Sequence, residues 1–409
     1  MPFVFSPLCL FVAMNELHRY AREIFDYALA EVDPRKAVKH APLNLPPGPI
    51  YSIAIGKAAA SMARGLEDAL GDKLTAPVLI ATGGHPLPNE NSLASARAAF
   101  ALLDRANAEE ASVVFLISGG GSAMIEWPVS DEISLADLQA ANKALISCGA
   151  SIAEVNAVRR AFSAVKGGGL ARHSPRARLF TLIVSDTNPG DEASVASGPT
   201  LTPPSDSPKA IDVVARYQLE LPALIMRAVR QAKPSTTAAN GSHVVLLDNN
   251  TAVTAARDKA IALGFSCAVL NDVREQPIAE GCELLLSNLL NGSTECVVSG
   301  GEFSCPVRGN GRGGRNLETA LRCAIALANE HCNVVVLSAG TDGIDGNSPA
   351  AGAIADETTI QRAQNLGLDA NQYLAASDSY TFFERLNDLI VTGPTGTNVR
   401  DLRILLRAP

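Results

Sequence analysis

Short apolar runs rich in β-branched residues alternate with amphipathic stretches along most of this chain. Ile50–Ile55, Val78–Thr82, Val113–Ile117, Leu179–Ser185, Val244–Leu247, Phe265–Leu270, Cys296–Ser299 and Val334–Ser338 are short enough to be strands buried on both faces. Asn15–Ala30, Ala58–Leu70, Ser92–Asn107, Leu135–Ser147, Ile152–Phe162, Thr251–Leu263, Ile278–Leu289 and Leu317–Glu330 read as the helices between them. In the first of these, Leu17, Tyr20, Ile24, Tyr27 and Ala28 share one face, with charges opposite. Strand then helix, repeated, predicts an α/β protein whose sheets are largely parallel and flanked by helices. At 409 residues the chain exceeds what one core usually serves. Two such domains are therefore expected: a Rossmann-like one over 1–238 and a second α/β domain over 239–409, joined through the small-residue stretch Lys233–Ser242.

Ligands in such sheets sit at the carboxyl ends of the strands, and here nearly every predicted strand opens into a polar, glycine-bearing loop. The most telling is FLISGGGSAM, Phe115–Met124. Ser118, Gly119, Gly120, Gly121 and Ser122 carry no side chain larger than a hydroxymethyl. The backbone there can turn through positive φ and expose bare N–H groups to an anion. A helix starting just beyond would add its positive dipole end. A tight strand-to-helix turn with no ligand would use the same glycines. Gly56 and Lys57 repeat strand, glycine, lysine, helix in miniature; Lys166 precedes the run Gly167–Gly169; and Asp186–Thr200 (DTNPGDEASVASGPT) directly follows a buried strand. The loops GGEFSCPVRGNGRGGRN, Gly300–Asn316, and AGTDGIDG, Ala339–Gly346, do the same in the second half.

Composition narrows the partners. Hydrophobic residues at 47 % and charged ones at 19 % describe a globular protein with ample core, and a net charge of −8 argues against nucleic acid, which needs a basic footprint. Eight cysteines without a CxxC pair read as free thiols in a reducing cytoplasm, and zinc is not expected. Pro2–Met14 is apolar but lacks a basic leader and a small-residue cleavage site, so a translation start at Met14 is the preferred explanation; no run reaches membrane-spanning length.

Three kinds of group gather at the predicted strand ends: glycine cradles at Gly119–Ser122 and Gly311–Gly314, cations at Lys57, Lys166, Arg312 and Arg315, and carboxylates at Asp186, Asp191, Asp342 and Asp345. That set is what phosphoryl transfer asks for, with amides and cations neutralising a polyphosphate and carboxylates holding magnesium. No P-loop, kinase HRD or DFG set, Rossmann GxGxxG after the first strand, or GxSxG elbow is present. Ser122 as a nucleophile lacks a histidine placed to serve it, and His85 reads as a loop residue bonded to backbone, with substrate contact as the alternative. Asp342 and Asp345 also fit ordinary turn chemistry.

GKAAASMA at Gly56–Ala63, GGHPLP, SGGGSAM, VRRAFSAVKGGGLA at Val158–Ala171, SDTNPGDEASVASGPT, GRGGRNLETAL at Gly311–Leu321, AGTDGIDGNSPAAGA and GPTGTNVRDL at Gly393–Leu402 occur in that order. Together they resemble the class II glycerate 2-kinases, the MOFRL-domain glycerate kinase family, over nearly the whole chain. The resemblance implies two α/β domains, the second of MOFRL type, with the active site in a cleft between them. It implies ATP-dependent phosphorylation of D-glycerate to 2-phosphoglycerate, with Lys57 and Arg315 in the site. The family's Lys-His-Leu run is here Arg160, Ala161 and Phe162; its Gln is Leu317 and its Asn is Arg400. The combined expectation has Ser118–Ser122, Lys57, Lys166, Gly313, Gly314 and Asp342 binding ATP. Mg²⁺ is assigned to Asp186 and Asp191. Arg315 offsets phosphoryl charge or grips the glycerate carboxylate, and Asp191 takes the hydroxyl proton. Partners are a nucleotide and D-glycerate, without nucleic acid or membrane; a homodimer is compatible with this. A hydroxypyruvate reductase and a non-catalytic sugar-phosphate-binding protein are the alternatives; the first needs a dinucleotide site, the second an output module.

Overall fold

The computed structural model describes residues 7–233, 241–328, 330 and 332–408. In the first half the apolar runs become β1 (Ile50–Ile55), β2 (Leu79–Ile80), β3 (Ser112–Ser118), β4 (Arg178–Val184) and β5 (Ser242–Leu247). All pair in parallel, in the order β2-β1-β3-β4-β5. β1 and β3 are buried along their whole length, in keeping with their predominantly apolar character. The helices between them begin where side chains satisfy the orphan amides: Asn89 with Ser92, Ser134 with Asp137 and Ser151 with Glu154 form reciprocal caps. The chain leaves β1 toward β2 and returns past it to β3, so the strand order reverses between β1 and β3. Doubly wound sheets open a crevice at that point, beyond the carboxyl ends of the two strands.

The second sheet comprises β6 (Cys267–Leu270), β7 (Cys296–Gly301), β8 (Val334–Gly340), β9 (Gly352–Asp356), β10 (Leu389–Ile390) and β11 (Asp401–Arg407), in the order β10-β9-β8-β11-β7-β6. Of these neighbours only β6 and β7 are parallel. The expectation of a second largely parallel sheet is thereby corrected. β8 returns to β9 through a loop with no crossover helix, and β11 enters between β7 and β8 antiparallel to both. Parallel pairing needs a long crossover, and these connections lack one.

The chain divides into two compact units: Asp33–Asp248, and Asn249–Pro409 together with the chain as far as Val32. The boundary therefore falls ten residues beyond the expected 238, because β5 completes the first sheet. The opening helix, Pro7–Glu31, belongs to the second unit. Its Leu17, Ala21, Ile24, Phe25 and Ala28 pack with Val253, Val335, Leu337 and Ile404, and His18 Nε2 meets Asp356 Oδ2 at 2.7 Å. Most of the expected linker 233–242, and the side chains of the apolar stretch 2–14, lie outside the described residues. Among the described residues no helix is long and apolar enough to cross a membrane.

Candidate active site

At the end of β3 the chain turns at Gly120, φ +76°, into a single 3₁₀ turn, Gly121–Ala123. No α-helix starts there; the next one begins at Leu135. Among the described residues the amides of Gly120, Gly121 and Ser122 donate to no protein acceptor. Beside them, Gly56 (φ +113°) ends β1, pressed against the Ser118 carbonyl so closely that no Cβ would fit. The Lys57 amide then donates to the Gly119 carbonyl at 2.9 Å, and the Ala58 amide to Ser118 Oγ at 3.0 Å. Ser118 is fully buried in this clamp. Its hydroxyl joins the tips of β1 and β3, which corrects its assignment as a ligand group.

Lys57 is exposed, and its side chain lies over Gly120, where a Cβ would come within 2.9 Å of Lys57 Cγ. A Cβ on Gly119 would overlap the half-buried Asp186 carboxylate. Both glycines are thus required by close approach of a charged side chain to the turn. Ser122 Oγ pairs with Ser197 Oγ at 2.7 Å, not with a histidine. Ser197 Oγ donates to Asn156 Oδ1 at 2.7 Å, and Asn156 Nδ2 to the Ser194 carbonyl at 3.3 Å. Ser194 Oγ donates in turn to Asp191 Oδ1 at 2.7 Å. Ala196 and Ser197 hold left-handed backbone at φ +51° and +62°, a conformation that needs outside support. The glycine run supplies it: Gly167 N donates to Ser197 O, Gly168 N to Gly198 O and Leu170 N to Pro199 O, at 3.0, 2.7 and 3.0 Å. SGGGS, KGGG and DEASVASGPT are therefore one assembly at the β1/β3 switch point.

Lys166 is corrected. Its Nζ lies 2.5 Å from Glu126 Oε2, both side chains being 1 % exposed, and Ser163 Oγ and the Trp127 amide complete the carboxylate's shell. Burial pushes the lysine pKa down, against the pull of Glu126. Lys166 is a buried internal cation beneath the glycine run, unavailable to a phosphate. A cavity of about 410 Å³ lies apart from the turn, lined by Thr181, Glu192, Thr200 and His243 among others.

In the second unit the glycine loop closes on itself. Gly311 N donates to Ala376 O, Arg312 N to Asp378 Oδ1 and Gly313 N to Asn347 Oδ1. The helix Arg315–Leu327 has its first amides, Asn316 and Leu317, capped by Asp345 at 3.1 and 2.8 Å, and Asp345 also fills the space a Cβ on Gly314 would need. The Gly313 amide is thereby taken up by the protein itself, and Asp345 lies against Gly314. Asp342 Oδ1 accepts from the Ile344 amide at 3.2 Å, an Asx turn. Arg315 grips Asp401 through Nε and Nη2 at 2.6 and 3.3 Å and meets Glu302 Oε1 at 2.6 Å. Burial lowers its pKa, but these carboxylates raise it further, so it is firmly cationic. Asn316 Nδ2 bridges Asp345 and Asp401.

Sequence reasoning missed Asn156, Ser197 and Glu126 in the first assembly and Asp401, Glu302 and Asn316 in the second. Asn156 left a signal, since it interrupts the apolar face of its helix as a fully buried polar group. Asp401 opens the final strand, which the apolar pattern had left unassigned.

Residues 20–230 match a family described as a domain of unknown function, DUF4147, and residues 295–401 match the MOFRL family. The chain is 34 % identical to the D-glycerate 2-kinase of Thermotoga maritima over 95 % of its length and 98 % of that protein's. It is equally identical, over 94 % of this chain and 93 % of the other, to an Agrobacterium vitis relative with a provisional hydroxypyruvate reductase name. A crystal structure of glycerate kinase from Thermotoga maritima superposes with a TM-score of 0.83 at 33 % identity, covering 96 % of this chain and all of that one.

Proposed function

This chain belongs to the MOFRL-domain glycerate kinase family, and from that premise we propose that it transfers the γ-phosphoryl group of ATP to the 2-hydroxyl of D-glycerate. One observation carries the reading: an open glycine turn at the β1/β3 switch point, with Lys57 across Gly120 and the Asp186 carboxylate against Gly119. The free amides of Gly120–Ser122 and the Lys57 ammonium receive nucleotide phosphates. Asp186 and Asp191 are the carboxylates that would hold Mg²⁺, which supplies charge neutralisation on the phosphates. Two carboxylates suit an ion that keeps waters and phosphate oxygens as its other ligands, and among the described residues no cluster of three or more metal-binding side chains offers a full protein cage. Asp191, oriented by Ser194, accepts the hydroxyl proton.

The reductase reading requires a dinucleotide fingerprint, and the first strand ends in Gly56–Lys57 without GxGxxG. The deciding experiment is a coupled assay with ATP, Mg²⁺ and D-glycerate, using enolase downstream so that 2-phosphoglycerate gives signal without a mutase. Hydroxypyruvate with NADH or NADPH runs in parallel. Turnover in the first assay that is lost in Lys57→Ala supports the proposal, and Arg315→Ala alongside tests whether the second cation takes part. Nucleotide-dependent reduction of hydroxypyruvate without phosphoryl transfer would overturn it.

A further inference from the structure

Arg159 and Arg160 sit side by side near the end of helix Ile152–Phe162 and have opposite fates. Arg159 is buried, and its Nε donates to Asn142 Oδ1 at 3.0 Å. Arg160, about 100° further round the helix, is half-buried, and among the described residues no hydrogen bond or ion pair reaches its guanidinium. Its stem lies flat on Gly167, φ +59°, where a Cβ would come within 2.6 Å of Arg160 Cδ. The stem is therefore packed on the backbone of the glycine run, which is itself zipped to the Ser197–Pro199 segment. Burial pulls its pKa below the usual arginine range, and the charge of Asp191 opposes this. A guanidinium carries five N–H donors and no acceptor; withdrawing them from water without partners is unfavourable, and a bound anion would offset that.

We propose that Arg160 binds the carboxylate of the hydroxy-acid acceptor and sets its specificity, an inference that rests on the kinase reading above. The argument is chemical. In a 2-hydroxy acid the reacting hydroxyl and the carboxylate share one carbon, so the group that reads the carboxylate must lie next to the group that takes the hydroxyl proton. Arg160 lies on Gly167, whose amide holds the Ser197 carbonyl, and Ser197 leads through Asn156 and Ser194 to Asp191, whereas Lys57 lies over Gly120. A planar fork also matches a carboxylate with two parallel hydrogen bonds, which a point charge cannot do.

Steady-state kinetics of the full chain test this, with D-glycerate and ATP varied separately for wild type, Arg160→Ala and Arg160→Lys. Arg160→Ala raises KM for D-glycerate by roughly 10- to 100-fold, the loss expected for a charged hydrogen-bond pair, with KM for ATP within about twofold. Arg160→Lys recovers part of the loss, since it keeps the charge and forfeits the fork. A merely structural role would lower the thermal midpoint and move both KM values together, which overturns the proposal. A rise confined to KM for ATP assigns Arg160 to a nucleotide phosphate and also overturns it, as do unchanged constants. Absence of phosphoryl transfer by the wild type overturns the kinase reading first and this inference with it.

Discussion

Two glycine-rich loops in this protein, SGGGS after β3 and GRGGRN before helix Arg315–Leu327, look interchangeable on paper and behave differently. In the first, backbone amides at Gly120–Ser122 remain without protein acceptors, and charged side chains from two other loops lie against the turn. In the second, Ala376, Asp378 and Asn347 take up the amides of Gly311, Arg312 and Gly313, and Asp345 those of Asn316 and Leu317. Glycine density thus reports that the backbone is closely approached, by a ligand in one case and by the protein's own acceptors in the other. The acceptors of neighbouring loops decide which. The same division separates two lysines that each adjoin a glycine: Lys57 is exposed beside the open turn, whereas Lys166 is sealed against Glu126.

The two lysines give the largest test of that division. Lys166→Ala leaves the Glu126 carboxylate buried without its counter-ion, and chemical denaturation should show a loss of about 3–5 kcal/mol. Replacing both by a methionine and a glutamine should recover much of it. Lys57→Ala should leave stability within about 0.5 kcal/mol, as for other exposed positions, while abolishing turnover. An active, equally stable Lys166→Ala would erase the distinction.

The loops themselves separate next. Gly120→Ala forces a left-handed Ala at about 1–2 kcal/mol and drives its methyl into Lys57, so kcat/KM should fall with only a modest change in unfolding midpoint. Gly313→Ala, at φ +149° with Ser379 Oγ 2.5 Å from the added Cβ, should destabilise the second unit. Its effect on KM for ATP should be small. Equal losses of ATP affinity in both variants would show that both loops bind the nucleotide.

Much of this was legible beforehand. β1 lies at the residues its apolar run marked, helices Leu135–Ser147 and Ile152–Phe162 match to the residue, and Lys57, Gly120, Asp186 and Asp191 all lie in the assembly at the β1/β3 switch point. Periodicity reports burial, and burial is what those elements share. The direction of pairing in the second sheet was not legible, because it depends on how β8, β9 and β11 connect, and strand composition says nothing of that. Nor was the fate of Lys166. A lysine before a glycine run looks solvated until Glu126, distant in sequence, is folded against it. Asp345 was weighed as a metal ligand or a turn residue and is neither alone: it caps a helix whose start the pattern placed two residues late.

That cap supplies the smallest effect and the sharpest check on the closed loop. Asp345→Ala removes the acceptor of two helix amides and should cost about 1 kcal/mol. The wild-type carboxyl is also a titrating group within reach of physiological pH. Burial pushes its pKa up to about 7, the Leu317 amide opposes this, the charge of Asp401 adds to it, and the Asn316 amide opposes it again. Because the folded value lies above the ordinary 3.8, the proton is bound more tightly in the folded state. The resulting stabilisation is fully present below about pH 4 and is lost as pH rises through about 7. Asp345→Asn keeps a carbonyl acceptor for the helix amides and removes the titration. The thermal midpoint of the wild type relative to this variant should therefore decline between pH 4 and pH 7.5 or so. Parallel pH curves for the two proteins would mean that the Asp345 carboxyl is ionised throughout, with the helix amides outweighing burial, and that the closed loop carries a full negative charge at its centre.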